Sequence, residues 1–129
     1  MSLIPGLSDN AHVLICGASR GIGLALCAAL LARDDVSRVW AVSRHARTAD
    51  GLLALAQAHG ERVVLLDYDA RDEQALAALA SEVGLACPHL HLVISTLGIL
   101  HQEGTKAEKS LAQLDLTSLQ ASFATNAFA

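Results

Sequence analysis

A glycine-rich turn joins the first apolar run of the sequence, residues 12–16, to a helical segment that begins at Gly21. Glycine stands at positions 17, 21 and 23, which is a Gly-x-x-x-Gly-x-Gly spacing. Glycines allow the backbone to turn tightly, to approach a ligand closely and to bring a helix against a strand. Free N–H groups at the start of that helix favour an anion. The turn therefore predicts a phosphate-binding connection between strand and helix, and a tight turn without a ligand is the alternative.

The rest of the sequence alternates short apolar runs with amphipathic or Ala/Leu-rich segments, a pattern typical of repeated βαβ units. Strands are predicted at residues 12–16, 38–42, 62–66 and 90–95. Helices are predicted at residues 21–33, 49–59 and 72–83, and Gly60 and Gly84 stand where the second and third would end. The strands are apolar along almost their whole length, as expected for strands buried on both faces of a parallel sheet.

These elements predict an α/β fold, a Rossmann-type doubly wound parallel sheet of strand order 3-2-1-4 with helices on both faces. Residues 1–11 are expected to be a weakly structured leader, and residues 12–129 to belong to a single dinucleotide-binding domain. A last helix is expected to start near Asp115 or Thr117 and to be still running at Ala129, with Leu119 and Phe123 on one face.

The strand at residues 90–95 would form an unpaired and strongly apolar edge of this sheet. Natural sheets avoid such an edge, because it invites pairing with other chains. We therefore expect the sequence to be the truncated, N-terminal part of a longer protein.

The composition narrows the class of protein. Hydrophobic residues make up 53% and charged residues 17%, which is the balance of a packed globular chain. The net charge is -4 and no long basic run is present, so we expect no nucleic-acid partner. The longest apolar stretch, residues 24–32, is shorter than the roughly 20 residues of a membrane-spanning helix, so we expect no membrane partner. The start of the sequence lacks a secretion signal and the three cysteines form no Cys-x-x-Cys motif, which favours the cytoplasm.

The motif Gly17-x-x-x-Gly21-Ile22-Gly23 resembles the opening loop of the short-chain dehydrogenase/reductase family, with Cys16 where the family often has threonine. Further similarities follow in order along the chain, at Asp67, at residues 95–98 (Ser-Thr-Leu-Gly) and at Asn126. The Leu-Gly-Ile-Leu-His stretch at residues 97–101 is similar to the carbonyl-reductase-like subgroup, which includes C-factor-type signalling proteins.

The resemblance implies where a dinucleotide would bind. Ser19, Arg20 and Ile22 would line the diphosphate, Asp67 and the backbone N–H of Tyr68 would recognise adenine, and Gly98 would let the nicotinamide ribose approach. Together with the loop glycines and the end of the second strand, the implied set of cofactor-binding residues is Gly17, Ser19, Arg20, Gly21, Ile22, Gly23, Ser43, Arg44, Asp67, Tyr68 and Gly98.

Two positions of the resemblance concern local geometry and proton transfer. Ser95 and Thr96 replace asparagines whose amides tie the sheet together in the family, so the geometry there is expected to differ. Asn126 matches a catalytic asparagine that holds a water in a proton relay to the catalytic lysine. An ordinary structural amide is the alternative for Asn126, since a polar residue on an apolar helix face needs a hydrogen bond.

The end of the second strand indicates which dinucleotide binds. NAD-binding proteins of this fold place a carboxylate there for the ribose 2′-hydroxyl, whereas the 2′-phosphate of NADP requires a cation. This sequence has Ser43-Arg44 at that point and no acid until Asp50. We therefore predict NADP rather than NAD, with Arg44 and Arg20 on either side of the phosphate. The alternative is that both arginines are ordinary solvated surface residues.

The family uses a tyrosine and a lysine four residues later as its proton-exchanging pair, because the cation lowers the pKa of the phenol. The only tyrosine here is Tyr68, and Asp72 stands four residues after it. We therefore expect residues 1–129 alone to be inactive and the catalytic pair to lie beyond them.

The full-length protein is then expected to be an NADP-dependent oxidoreductase of a small carbonyl or alcohol substrate, and a homo-oligomer. A dinucleotide-binding signalling or sensor protein without turnover is the rival function. Cys87, His89 and His91 alternate as metal ligands can, but a proline interrupts them and no carboxylate is adjacent, so no metal site is predicted.

Overall fold

The structure, a computed structural model, describes residues 4–5, 7–98 and 111–127. The chain forms two compact units, Met1–Thr96 and Leu97–Ala129. The elements of the first unit are β1 (Ala11–Cys16), α1 (Gly21–Leu31), β2 (Val36–Ser43), α2 (Asp50–His59), β3 (Val63–Asp67), α3 (Glu73–Ala86) and β4 (Leu92–Ser95). The second unit contains α4 (Leu116–Asn126), and short 3₁₀ turns occur at Ala46–Thr48, Gly60–Arg62 and Leu111–Gln113.

The four strands pair in parallel in the order β3-β2-β1-β4, which confirms the predicted sheet. Each strand lies within two residues of its predicted bounds. In parallel sheets of this kind the carboxyl ends of the strands meet at one edge, where ligands bind. The glycine turn after β1, the residues that follow β2 and β3, and Thr96 after β4 therefore share that edge.

The core has two layers because successive side chains of a strand point to opposite faces. Val13, Val39 and Val63 are in register and pack with residues of α1 and α2 on one face. Leu14 and Trp40 pack on the other face with Leu79 and Val83 of α3. Helices therefore cover both faces of the sheet, as predicted. Within the predicted leader, Leu7 is also buried and belongs to the first of these clusters.

Helix α3 does not end at Gly84, so that sequence prediction is wrong. The helix continues to Ala86, and the Cys87 N–H still donates to the Val83 carbonyl oxygen at 2.8 Å. Val83 and Cys87 are both buried, so the apolar stripe of the helix extends past the glycine. Pro88 follows, and the residue before a proline is disfavoured in the helical conformation. By contrast, Gly60 does end α2, with φ at 60°.

Helix α4 begins where predicted but ends earlier. The Asp115 side chain accepts a hydrogen bond from the Ser118 N–H at 3.0 Å and so caps the first turn. The helix ends at Asn126, and Ala127 is its C-cap, so the expected continuation is wrong at this residue. Residues 128 and 129, where the helix was also expected, and residues 99–101 of the subgroup motif lie outside the described residues.

Candidate functional site

The glycine turn has the tight backbone conformation that its glycines predict. Gly17 has φ at 82° and Gly21 at 58°, which is the left-handed region that residues with a side chain rarely adopt. Gly23 is required for a different reason. A Cβ atom at this position would lie 2.0 Å from the Gly17 carbonyl oxygen and 2.7 Å from the Thr96 hydroxyl oxygen. The three glycines thus allow the turn and the close contact between α1 and the end of β1.

Neighbouring strands hold this turn from both sides. On the β2 side, the Val42 carbonyl oxygen accepts the N–H groups of Gly17 at 2.9 Å and of Ala18 at 3.2 Å. On the β4 side, the Thr96 hydroxyl lies 3.0 Å from the carbonyl oxygens of both Cys16 and Gly17. A threonine hydroxyl carries one hydrogen, so it donates to one of these carbonyls at a time. The Thr96 hydroxyl therefore links β4 to the end of β1, a link that the resemblance assigned to asparagine amides that this sequence lacks.

The start of α1 is open to an anion. Arg20 is the N-cap residue and makes no side-chain cap bond, and the first turn contains no acidic residue. Arg20 and Gly21 are exposed, and Ile22 is 75% exposed. Burial raises the pKa of the Cys16 thiol, which therefore stays uncharged beside this turn. N–H groups without partners, a guanidinium and the absence of a nearby negative charge at this turn are the arrangement that binds phosphate.

The end of β2 places the predicted Ser43 and Arg44 at the same edge of the sheet. The Ser43 hydroxyl oxygen is buried and has no hydrogen-bond partner among the described residues. Arg44, one residue further, is exposed. An orphaned polar atom beside an exposed cation fits the binding of a polar, negatively charged group.

The end of β3 differs from what the resemblance implied. The Asp67 carboxylate is exposed, but its Oδ1 accepts the Arg47 N–H at 2.9 Å, while Arg47 Nε donates to the Leu65 carbonyl oxygen at 3.3 Å. The Tyr68 N–H donates to the Ser43 carbonyl oxygen at 3.0 Å, so it is already used within the sheet and is not free for adenine. Sequence reasoning missed Arg47, because nothing in the local pattern links it to Asp67 twenty residues away.

An ion pair follows in the loop after β3. Asp69 accepts three hydrogen bonds from Arg71: from Nε at 3.0 Å, from a terminal guanidinium nitrogen at 2.9 Å and from the backbone N–H at 3.0 Å. The hydrogen bond from the Arg71 side chain lowers the pKa of Asp69 to about 2, and the charge of nearby Arg44 acts in the same direction. Asp72 caps α3 through the N–H groups of Gln74 and Ala75. The ion pair of Asp69 with Arg71 was not predicted from the sequence.

The second unit brings two predicted residues together. A Cβ atom built on Gly98 would lie 3.5 Å from the Asn126 side-chain oxygen, an ordinary van der Waals distance. Both residues are exposed, and Asn126 is the last residue of α4. Their contact agrees with a shared site in this unit but does not distinguish a proton relay from a structural amide.

Two of the three side chains weighed as metal ligands, those of Cys87 and His91, have protein partners. The Cys87 thiol donates to the His89 carbonyl oxygen at 2.8 Å, and His91 Nδ1 accepts the His12 N–H at 3.0 Å. The His12 and His91 rings are stacked, with centroids 6.1 Å apart. Burial, and then the charges of Arg38 and His91, lower the pKa of His12. This cluster lies at the amino edge of the sheet, away from the glycine turn.

Among the described residues, none of the helices combines the length and the apolar character that crossing a bilayer requires.

Known proteins are similar to this chain in sequence and in architecture. The chain is 35% identical over 89 residues to a benzil reductase ((S)-benzoin forming) of Saccharomyces cerevisiae, which covers 68% of this chain and 33% of that enzyme. It is 33% identical over 90 residues to the 3-keto-steroid reductase/17-beta-hydroxysteroid dehydrogenase 7 of Homo sapiens, which covers 68% of this chain and 26% of that enzyme. The matched region thus spans a third or less of these relatives.

Solved structures agree. A carbonyl reductase from Pseudomonas aeruginosa PAO1 in complex with NADP superposes with a TM-score of 0.80 and 32% identity, over 92% of this chain and 48% of that one. The NADPH-bound carbonyl reductase from chicken fatty liver gives a TM-score of 0.79 and 28% identity, over 94% of this chain and 44% of that one. The family model for short chain dehydrogenases matches residues 11–129. This chain therefore belongs to the short-chain dehydrogenase family, and carbonyl reductases are among its structural neighbours.

Proposed function

We propose that this chain is the cofactor-binding part of an NADP-dependent oxidoreductase that transfers a hydride between nicotinamide and a small carbonyl or alcohol substrate. The observation that carries the proposal is the glycine turn. It leads into the N-terminal end of α1, which is open and fits a diphosphate. The names of the relatives support the reaction class, since the relatives include a benzil reductase, a 3-keto-steroid reductase and carbonyl reductases with bound NADP or NADPH.

When bound, NADPH would supply the hydride and NADP⁺ would accept it, and the residues of this chain would bind and orient the dinucleotide. The N–H groups of the first turn of α1 and the Arg20 guanidinium would hold the diphosphate. Arg44 would pair with the 2′-phosphate, and the buried Ser43 hydroxyl beside it would gain the hydrogen bond that it lacks in the structure. Asp67 would reach the adenine with its exposed carboxylate, without help from the Tyr68 N–H.

Tyr68 is not suited to act as the proton-exchanging phenol. Its hydroxyl donates to a Glu82 carboxylate oxygen, and this hydrogen bond raises the pKa of Tyr68. A catalytic phenol needs the opposite shift, which a nearby cation provides. A tyrosine and lysine pair outside residues 1–129 is therefore part of the proposal, with Asn126 in its proton relay. We further propose that the full-length protein acts in the cytoplasm as a homo-oligomer.

A polypeptide of residues 1–129 is expected to show no reductase turnover and to self-associate. It lacks the tyrosine and lysine pair, and Val93 of the edge strand β4 is 59% exposed. NADPH consumption and light scattering, compared with the full-length protein, test both points. Turnover by a monodisperse monomer would contradict the placement of the catalytic residues. Binding of NADP without turnover by the full-length protein would instead favour the signalling or sensor function.

Replacing Arg44 with aspartate is expected to reverse the cofactor preference of the full-length protein from NADP to NAD. A hydrogen bond to a charged group contributes about 1.5–3 kcal/mol, which is about tenfold to a hundredfold in affinity. Titration of both dinucleotides into the wild type and Arg44→Asp measures the ratio, and Arg44→Lys is the control that keeps the charge. Equal affinities in the wild type, or an unchanged ratio in Arg44→Asp, would rule out the assignment of Arg44.

A further inference from the structure

The paired ends of β2 and β3 bring an acidic residue, Asp69, to the same edge of the sheet as Arg44, the cation proposed to bind the 2′-phosphate. Ser43 is in register with Asp67, and the Tyr68 N–H donates to the Ser43 carbonyl oxygen at 3.0 Å. The chain continues from these paired residues to Arg44 on one side and to Asp69 on the other. Arg44 and Asp69 therefore face the same edge of the sheet, although 25 positions separate them in the sequence.

Asp69 is held in place by Arg71. Two guanidinium nitrogens of Arg71 contact its two carboxylate oxygens at 3.0 and 2.9 Å, and the Arg71 N–H adds a third hydrogen bond. The two side chains are about equally exposed, at 34% for Arg71 and 37% for Asp69. Because the pKa of Asp69 is lowered to about 2, the carboxylate is charged at every pH at which the protein would work. A negative charge paired with Arg71 thus lies within electrostatic reach of Arg44.

This charge acts on the two dinucleotides in opposite ways. A 2′-phosphate next to Arg44 would be repelled by the Asp69 carboxylate, whereas a ribose hydroxyl would not. In addition, the pairing with Asp69 keeps the Arg71 guanidinium from serving as a second phosphate ligand. We propose that Asp69 is a specificity-determining residue, whose carboxylate limits the preference for NADP that Arg44 provides. This inference rests on the proposed function.

Two substitutions are expected to move the preference in opposite directions. Asp69→Asn removes the negative charge and releases Arg71, so the ratio of NADP affinity to NAD affinity should rise about twofold to fivefold. Arg71→Gln leaves the Asp69 charge without its partner, so the same ratio should fall by a comparable factor. Since these charges are partly exposed, both effects should shrink as the ionic strength rises.

The matched control is Asp72→Asn, which removes one negative charge three residues away in the same loop. Asp72 caps α3 through a side-chain oxygen, and asparagine caps helices about as well, so this variant keeps the fold. Its affinity ratio should stay that of the wild type. The measurement is a calorimetric titration of NADP and of NAD into the full-length protein and each variant, with a thermal melt to show that each is folded.

The outcomes separate the two proposals. A wild type that binds neither dinucleotide would contradict the proposed function and this inference with it. A wild type that prefers NADP, with an unchanged ratio in Asp69→Asn and Arg71→Gln, would overturn the inference and leave the proposed function intact. A rise in Asp72→Asn equal to that in Asp69→Asn would also overturn it, because net charge alone would then explain the effect.

Discussion

Replacing Gly21 with valine is expected to abolish NADP binding by the full-length protein while leaving it folded. The φ of Gly21 is 58°, and a Cβ atom there would meet no protein atom within 4 Å. The substitution therefore adds backbone strain of about 1–2 kcal/mol without a clash inside the protein. The space that the new side chain enters lies at the N-terminal end of α1, where the diphosphate is proposed to bind. Binding and folding are thus predicted to respond very differently.

Gly60→Val is the matched control for this experiment. Gly60 has φ at 60° and likewise no protein atom within 4 Å of a Cβ, so valine there also adds backbone strain without a clash, and its ψ of -128° makes that strain at least as large. It ends α2 just before β3, at the sheet edge opposite the glycine turn. Circular dichroism during urea unfolding and cofactor fluorescence on the same samples compare the variants. Normal binding by Gly21→Val would return the glycine turn to a purely structural role.

How far the sequence predicted this site depends on whether a feature is local. The glycine turn was predictable because a backbone with positive φ favours glycine, so Gly17 and Gly21 mark the turn in the sequence itself. The strands and their order were predictable because continuous apolar runs alternate with amphipathic helices. The position of Arg44 at the end of β2 follows from the same local pattern.

Two of the features that sequence reasoning missed join residues far apart in the chain. The Thr96 hydroxyl reaches the Cys16 carbonyl oxygen across 80 positions, and the Asp67 carboxylate takes the Arg47 N–H across 20. No local pattern marks such pairs, because hydrogen bonds between elements depend on register. The wrong helix end at Gly84 has a related cause, since burial of Val83 and Cys87 in the core decided it rather than glycine propensity.

The largest expected loss of stability is at Gly23, where alanine suits a helix by local propensity but is excluded by a tertiary contact. Gly23→Ala is expected to destabilise the protein by about 3 kcal/mol or more, which is the upper range for overpacking. The new Cβ atom would lie 2.0 Å from the Gly17 carbonyl oxygen, and a backbone atom held by its neighbours cannot move aside as a flexible side chain can. Because the Gly17 carbonyl belongs to the turn, the dinucleotide site should be lost together with stability.

Gly84→Ala is the control, and its effect should have the opposite sign. Gly84 lies inside α3, is exposed, and a Cβ atom there would meet nothing within 4 Å. Alanine at this helical position should stabilise the fold by about 0.5–1 kcal/mol. Removing the second contact does not relieve the first, so the double variant Gly23→Ala, Thr96→Ala should be no more stable than Gly23→Ala. Urea unfolding of all four proteins measures these differences. A Gly23→Ala variant as stable as the wild type would mean that α1 does not meet the end of β1 as closely as the structure places it.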